Sequence, residues 1–130
     1  MYIINGNGCP KFRIVKAMLE IKGVEYDIAG SQIFSLQTNH TQLTHIENII
    51  RYLDERFPVP QLISGEIPHR AALIELVHHI GKDPRIVEKL ILNASPFING
   101  KYISILDILA FVYTRNQTFK RFMAEVISAN

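Results

Sequence analysis

The sequence predicts an α/β half followed by an all-α half, and three observations carry that prediction. A strand, a helix and a second strand fit within residues 2–28. A one-sided helix over residues 46–57 is stopped by two prolines. Beyond that stop the longer patterned segments have helical spacing. The predicted division is 1–60 for the mixed half and 61–130 for the helical half.

Tyr2-Ile3-Ile4 reads as a short buried strand, closed by the turn residues Asn5-Gly6-Asn7-Gly8. Cys9-Pro10 opens a helix, because proline is favoured at the first helical position where no N–H partner is needed. Phe12, Val15, Met18 and Leu19 form its buried face; Lys22 lies in its last turn and Gly23 follows as the terminating residue. Val24–Ile28 is the next strand. A strand, helix and strand this close form a βαβ unit, so the two strands should be parallel. Residues 33–37 and 41–43 fit a hairpin turning at Asn39-His40.

The helix over 46–57 has Ile46, Ile49, Ile50, Leu53 and Phe57 on one face. Asp54 and Glu55 read as part of its solvated face, since helical neighbours diverge. Pro58 and Pro60 end it, because a residue before proline is pushed out of the α region. Residues 58–66 then form a linker. Pro68 starts a helix with Leu73, Leu76, Val77 and Ile80 inward, and Gly81 should stop it. Asp83-Pro84 restarts the chain as a helix with Ile86, Val87, Leu90 and Ile91 inward. Ser95-Pro96 and Asn99-Gly100 mark turns. Ser104 and Asp107 make a capping box, with Asp in place of the usual Glu or Gln, and Ile103 and Ile108 stand at staple positions. A buried helix follows to about residue 115. A last helix presents Phe119, Phe122, Met123, Val126 and Ile127.

Composition narrows the function. The chain has 130 residues, 48% hydrophobic and 20% charged, an ordinary globular balance. A net charge of +2 is too small to argue for a nucleic-acid or membrane surface. No apolar run is long enough to span a bilayer, and the N-terminus lacks the pattern of a secretory leader. One cysteine rules out an internal disulfide and suits a reducing compartment, so a cytoplasmic location is expected.

Two features carry candidate chemistry. Cys9 sits at a predicted helix N-terminus, where unpaired N–H groups and the helix dipole favour a thiolate; the plainer alternative is a small half-buried residue with no substrate. Pro58-Val59-Pro60 is a stiff bend that loses little entropy when a partner docks; the plainer alternative is linker geometry. Metal binding is not expected, because His78 and His79 point about 100° apart on a helix and His40, His45 and His69 lack a ligand at the right spacing. Ser104 and Asp107 explain themselves as a structural cap.

CPKFRIVKAMLEIKGVEYDI, THIENIIRYLDERFPVPQL and FINGKYISILDILAFVYTRN, in that order, resemble the glutathione-transferase-fold superfamily. The first is similar to its first helix and second strand, the second to its third helix and linker, and the third to its buried, capped helix. YLDERFPxPxL and IPHRAALIELVHHIGKD look most like the stringent starvation protein A family. The resemblance implies a thioredoxin-like half that lacks its second helix, since only Ala29-Gly30-Ser31 precedes the hairpin, and a shortened helical half. It implies a homodimer. It implies a non-catalytic transcription regulator that docks on RNA polymerase holoenzyme or its sigma factor. The docking residues would be Pro58, Val59 and Pro60 with Tyr52, Arg56, His69 and Arg70; Val59 stands where that family has His. The alternative implied by Cys-Pro, as in omega-class transferases and glutaredoxins, is a glutathione-dependent thiol transferase or oxidoreductase with Cys9 as nucleophile. Against it, the family's cis-proline position aligns near Phe34, and its Glu-Ser pair aligns with His45 and Ile46, which has no hydroxyl.

Overall fold

The computed structural model describes residues 1–129. Strand β1 (Tyr2–Asn5) leads into helix α1 (Pro10–Ile21) and returns as β2 (Tyr26–Ile28). Strands β3 (Ser35–Gln37) and β4 (Gln42–Leu43) follow, then α2 (Ile46–Arg56). The sheet order is β2-β1-β3-β4, with β1 and β2 parallel and the other pairs antiparallel. The predicted βαβ unit and hairpin are both present. The hairpin turns through residues 38–41, where Thr38 N–H donates to Thr41 O at 2.8 Å. No helix lies between β2 and β3, as the short connection requires.

The sheet face opposite the core is largely polar: Asp27, Gln37 and Gln42 are exposed on it, while Asn5 and Ser35 are buried. Alternation along a strand sends Tyr2, Ile4 and Leu36 inward, and Ile4 and Leu36 are fully buried. The opposite face carries Asn5, Asp27, Ser35, Gln37 and Gln42 around Ile3. Asn5 Nδ2 and Gln42 Nε2 both donate to Ser35 Oγ at 3.1 Å, which satisfies the buried hydroxyl.

The second half comprises α3 (Ile67–Lys82), the short α4 (Ile86–Leu90) with a 3₁₀ turn at Ile91–Asn93, α5 (Ile105–Tyr113) and α6 (Gln117–Ser128). Helix α5 is the centre: Ile105 to Ala110 are all buried, and it packs against α1, α3, α4 and α6. Helix α1 also packs on α2 and α6. One hydrophobic core therefore runs through both halves, from Ile4 and Leu36 to Met123 and Ile127.

Three expectations need correction. Helix α3 runs through Gly81 to Lys82, with Asp83 as its C-cap; a glycine in an exposed last turn costs about 1 kcal/mol, too little to end a helix held by Leu73, Val77 and Ile80. Asp83-Pro84 heads a turn before α4 and is not its cap, which is Arg85. Asp54 is not solvated: it is 7% exposed, while Glu55 beside it faces solvent.

Candidate functional site

Cys9 stands where β1 hands over to α1. The loop before it uses two glycines at positive φ, Gly6 at 93° and Gly8 at 96°, a region other residues rarely occupy. Cys9 N–H closes the turn onto Gly6 O at 3.1 Å. The Cys9 backbone is extended, Pro10 opens the helix, and Phe12 N–H donates to Cys9 Sγ at 3.3 Å. The thiol is thus the N-cap of a twelve-residue helix, half-buried and open on one side. Tyr113, at the end of α5, lies close enough to feel it. Burial pushes the Tyr113 phenol above its ordinary value, the Cys9 side chain adds to that, and Arg13 opposes it.

Two other segments carry the positions that the resemblance assigns to glutathione. Phe34, just before β3, packs its backbone onto Gly6: a Cβ at Gly6 would stand 2.7 Å from Phe34 Cα. The cis peptide bonds among the described residues precede Pro60 and Pro96, not Phe34. His45 is the N-cap residue of α2 and makes no side-chain cap bond; its Nδ1 lies 3.2 Å from Thr44 Oγ1. Ile46 is buried, so its side chain belongs to the core.

The proline bend is clamped from inside. Lys22 Nζ lies 2.9 Å from Asp54 Oδ1, with the lysine side chain wholly buried. The same ammonium donates to Phe57 O and, at 2.8 Å, to Pro60 O. Asp54 accepts Leu62 N–H at 2.8 Å and Ile63 N–H at 3.0 Å. The bend therefore has fixed carbonyls and fixed N–H groups, and presents Val59 outward at 79% exposure. Beside it, the Tyr2 and Tyr52 hydroxyls meet at 2.9 Å, and the Arg56 guanidinium stacks over the Phe57 ring at 4.7 Å.

Tyr52, Arg56 and Pro58 to Pro60 thus lie along one α2 end and the bend. His69 and Arg70 lie at the start of α3: His69 lines a groove with Leu73, Leu76 and Leu90, and Arg70 lines a cleft between α2 and α3. Sequence reasoning missed Lys22, Asp54 and Tyr2. Asp54 follows Ile50 by four, which puts it at the edge of the apolar stripe, and that was the available signal.

Ser104 and Asp107 form the predicted box. Asp107 Oδ2 accepts Ser104 N–H at 2.8 Å, Ser104 Oγ accepts Leu106 N–H at 3.3 Å, and Asp107 Oδ1 also takes Ile98 N–H at 2.8 Å. Burial raises the Asp107 carboxyl above its ordinary value, against the pull of those N–H groups. Among the described residues no three His, Cys, Asp or Glu side chains gather as a metal site, and no helix is long and apolar enough to cross a membrane.

No family model matches the chain, and no curated protein matches it in sequence. Solved structures do match, 107 chains in all. A glutathione transferase homolog from Burkholderia with bound glutathione is 17% identical, with a TM-score of 0.65, over 99% of this chain and 91% of that one. A maleylacetoacetate isomerase from Anaeromyxobacter dehalogenans, with dicarboxyethyl glutathione and citrate in its active site, is 16% identical at a TM-score of 0.68, over 99% and 89%. An Omega 3C glutathione transferase from Trametes versicolor is 14% identical at 0.70, over 96% and 79%. At these identities the likeness establishes the fold: a thioredoxin-like half joined to a helical half, as in glutathione transferases.

Proposed function

We propose that the chain is a glutathione-binding thiol protein in which Cys9 is the reacting group. The observation that carries this reading is the position of Cys9 as a half-open N-cap at the β1–α1 junction, in a fold whose solved neighbours include proteins with glutathione or a glutathione conjugate bound. The residues fit the tripeptide in part. The first-turn N–H groups of α2, left uncapped by His45, suit a carboxylate. The Phe34 backbone beside Gly6 offers an edge for the cysteinyl portion. Ile46 cannot add a hydroxyl, so millimolar affinity is expected rather than micromolar. Glutathione, when bound, supplies a thiol for exchange. Cys9 supplies the sulfur held at the helix N-terminus, and the Tyr113 phenol is near enough to feel its charge.

Titration calorimetry with glutathione tests this on the wild type, Cys9→Ser and Cys9→Ala. The serine variant keeps an N-cap oxygen and should fold and bind. Reduction of a glutathione mixed disulfide should be lost in both variants. Absence of saturable binding to the wild type would sink the reading.

The clamped bend favours a second reading, in which exposed Val59 and the fixed Pro58–Pro60 backbone dock a protein. This is a non-catalytic transcription regulator resembling stringent starvation protein A, homodimeric and cytoplasmic. Its partner would be RNA polymerase holoenzyme or its sigma factor, with Tyr52 and Arg56 beside the bend and His69 and Arg70 contributing from the first turn of α3. Exposed Leu92 and Tyr102 offer apolar surface for the dimer. A polymerase pull-down should succeed with the wild type and fail when Pro58 and Pro60 are both alanine; failure with the wild type removes this reading.

A further inference from the structure

A cleft of about 200 Å³ opens between α2 and α3, away from Cys9. Ile63, Ile67, Ala71 and Ile74 make its apolar walls, and Arg51 and Arg70 its basic ones. Arg70 Nε is buried without a hydrogen-bond partner. Arg70 as a whole is half-buried, and an enclosed donor with no protein partner is one that a ligand oxygen can pair.

The lining holds two arginines against Asp54 and Glu55, and the ion pair of Asp54 with Lys22 tips the balance to positive. Asp54 reaches its wall, but both of its oxygens are already held by Lys22, Leu62 N–H and Ile63 N–H. Glu55 also lines the cleft, yet it is exposed and makes no ion pair with Arg51 or Arg70 among the described residues. Two guanidinium groups therefore face one solvated carboxylate. A planar guanidinium matches a carboxylate through parallel N–H donors, and the isoleucine walls match a short aliphatic or single-ring body.

From this we infer that the α2–α3 cleft binds a small organic carboxylate, its head on Arg70 and Arg51 and its body against Ile63, Ile67 and Ile74. The inference stands apart from the Cys9 reading, because none of these residues adjoins that thiol.

Hexanoate is a suitable probe, titrated into the full chain and followed by amide NMR shifts. Hexan-1-ol and hexylamine serve as neutral and cationic controls. The expected result is saturable shifts at Ile63, Ile67, Ala71 and Ile74, with both controls weaker by roughly tenfold or more, since a charge-assisted pair is lost. Arg70→Leu and Arg51→Leu should each weaken hexanoate by roughly tenfold. Arg51 is exposed, so its variant tests the site even if Arg70→Leu fails to fold. Shifts elsewhere, equal binding of hexan-1-ol, indifference to Arg51→Leu, or no saturation would each overturn the inference. Sedimentation showing a dimer that Arg51→Leu weakens and hexanoate does not would give the cleft to a second copy, and would also overturn it.

Discussion

Lys22 and Asp54 form an ion pair at 2.9 Å, with side chains 0% and 7% exposed. Lys22 closes α1, Asp54 lies in the last two turns of α2, and their remaining bonds all run to the linker backbone. The pair therefore ties the end of one helix to the end of another and to the strap that crosses into the helical half. A buried pair repays its desolvation only when the leftover donors and acceptors are also met. Here Phe57 O, Pro60 O, Leu62 N–H and Ile63 N–H meet them.

Breaking the pair should be costly. Lys22→Met and Asp54→Leu should each destabilise the chain by about 3–5 kcal/mol, because each leaves a buried charge alone. Combining them removes both charges but still strands the four backbone groups, so the double variant should stay below wild type. Urea midpoints at constant slope measure this. A double variant as stable as wild type would show that the backbone bonds contribute little.

How far all this was legible depends on whether the signal was local. The α2 stripe, its proline stop and the Ser104–Asp107 box are written in short spacings, and each appears where expected. The Lys22–Asp54 contact joins residues 32 apart; each looks like a solvated helix residue until the linker is seen to wrap them. Gly81 misled because exposed glycine ends a helix only when tertiary packing does not hold it. At the candidate site, Cys9-Pro10 was plain from the sequence, whereas Tyr113 reaches it only through the packing of α5 on α1.

Asp107 does more than cap a helix, since it also holds the 97–100 turn through Ile98 N–H. Asp107→Ala should cost about 2–3 kcal/mol, more than the ~1 kcal/mol of Ser104→Ala, which removes only a cap. Hydrogen exchange separates the two roles. The Ile98 amide should lose protection in Asp107→Ala and keep it in Ser104→Ala; equal loss in both would reduce Asp107 to a cap.

Gly6 and Gly8 share a positive φ but not a neighbourhood. A Cβ at Gly8 meets nothing within 4 Å, whereas one at Gly6 meets the Phe34 backbone. Gly8→Ala should therefore cost only the backbone term, about 1–2 kcal/mol, and Gly6→Ala distinctly more, with β3 displaced. Thermal melts of the two variants compare them directly. Equal losses would mean that Phe34 can give way, which would also loosen the turn that leads into Cys9.

The Tyr2 phenol is pushed up from its usual 10.0 to about 12, first by burial and then by its bond to Tyr52, with Arg56 pulling the other way. The folded chain therefore keeps this proton over a window where the unfolded chain has lost it. Protons bound are fewer in the unfolded state, so stability falls as pH rises through 10.0 toward about 12. Tyr26 and Tyr113 are raised as well and bend the curve the same way, so the test is a difference. Urea midpoints for wild type and Tyr2→Phe, followed from neutral pH to about 12, should converge with rising pH as wild type loses its Tyr2 contribution. Parallel curves would mean that Tyr2 titrates alike in both states, and that its bond to Tyr52 does not hold the corner where α2 meets the proline bend.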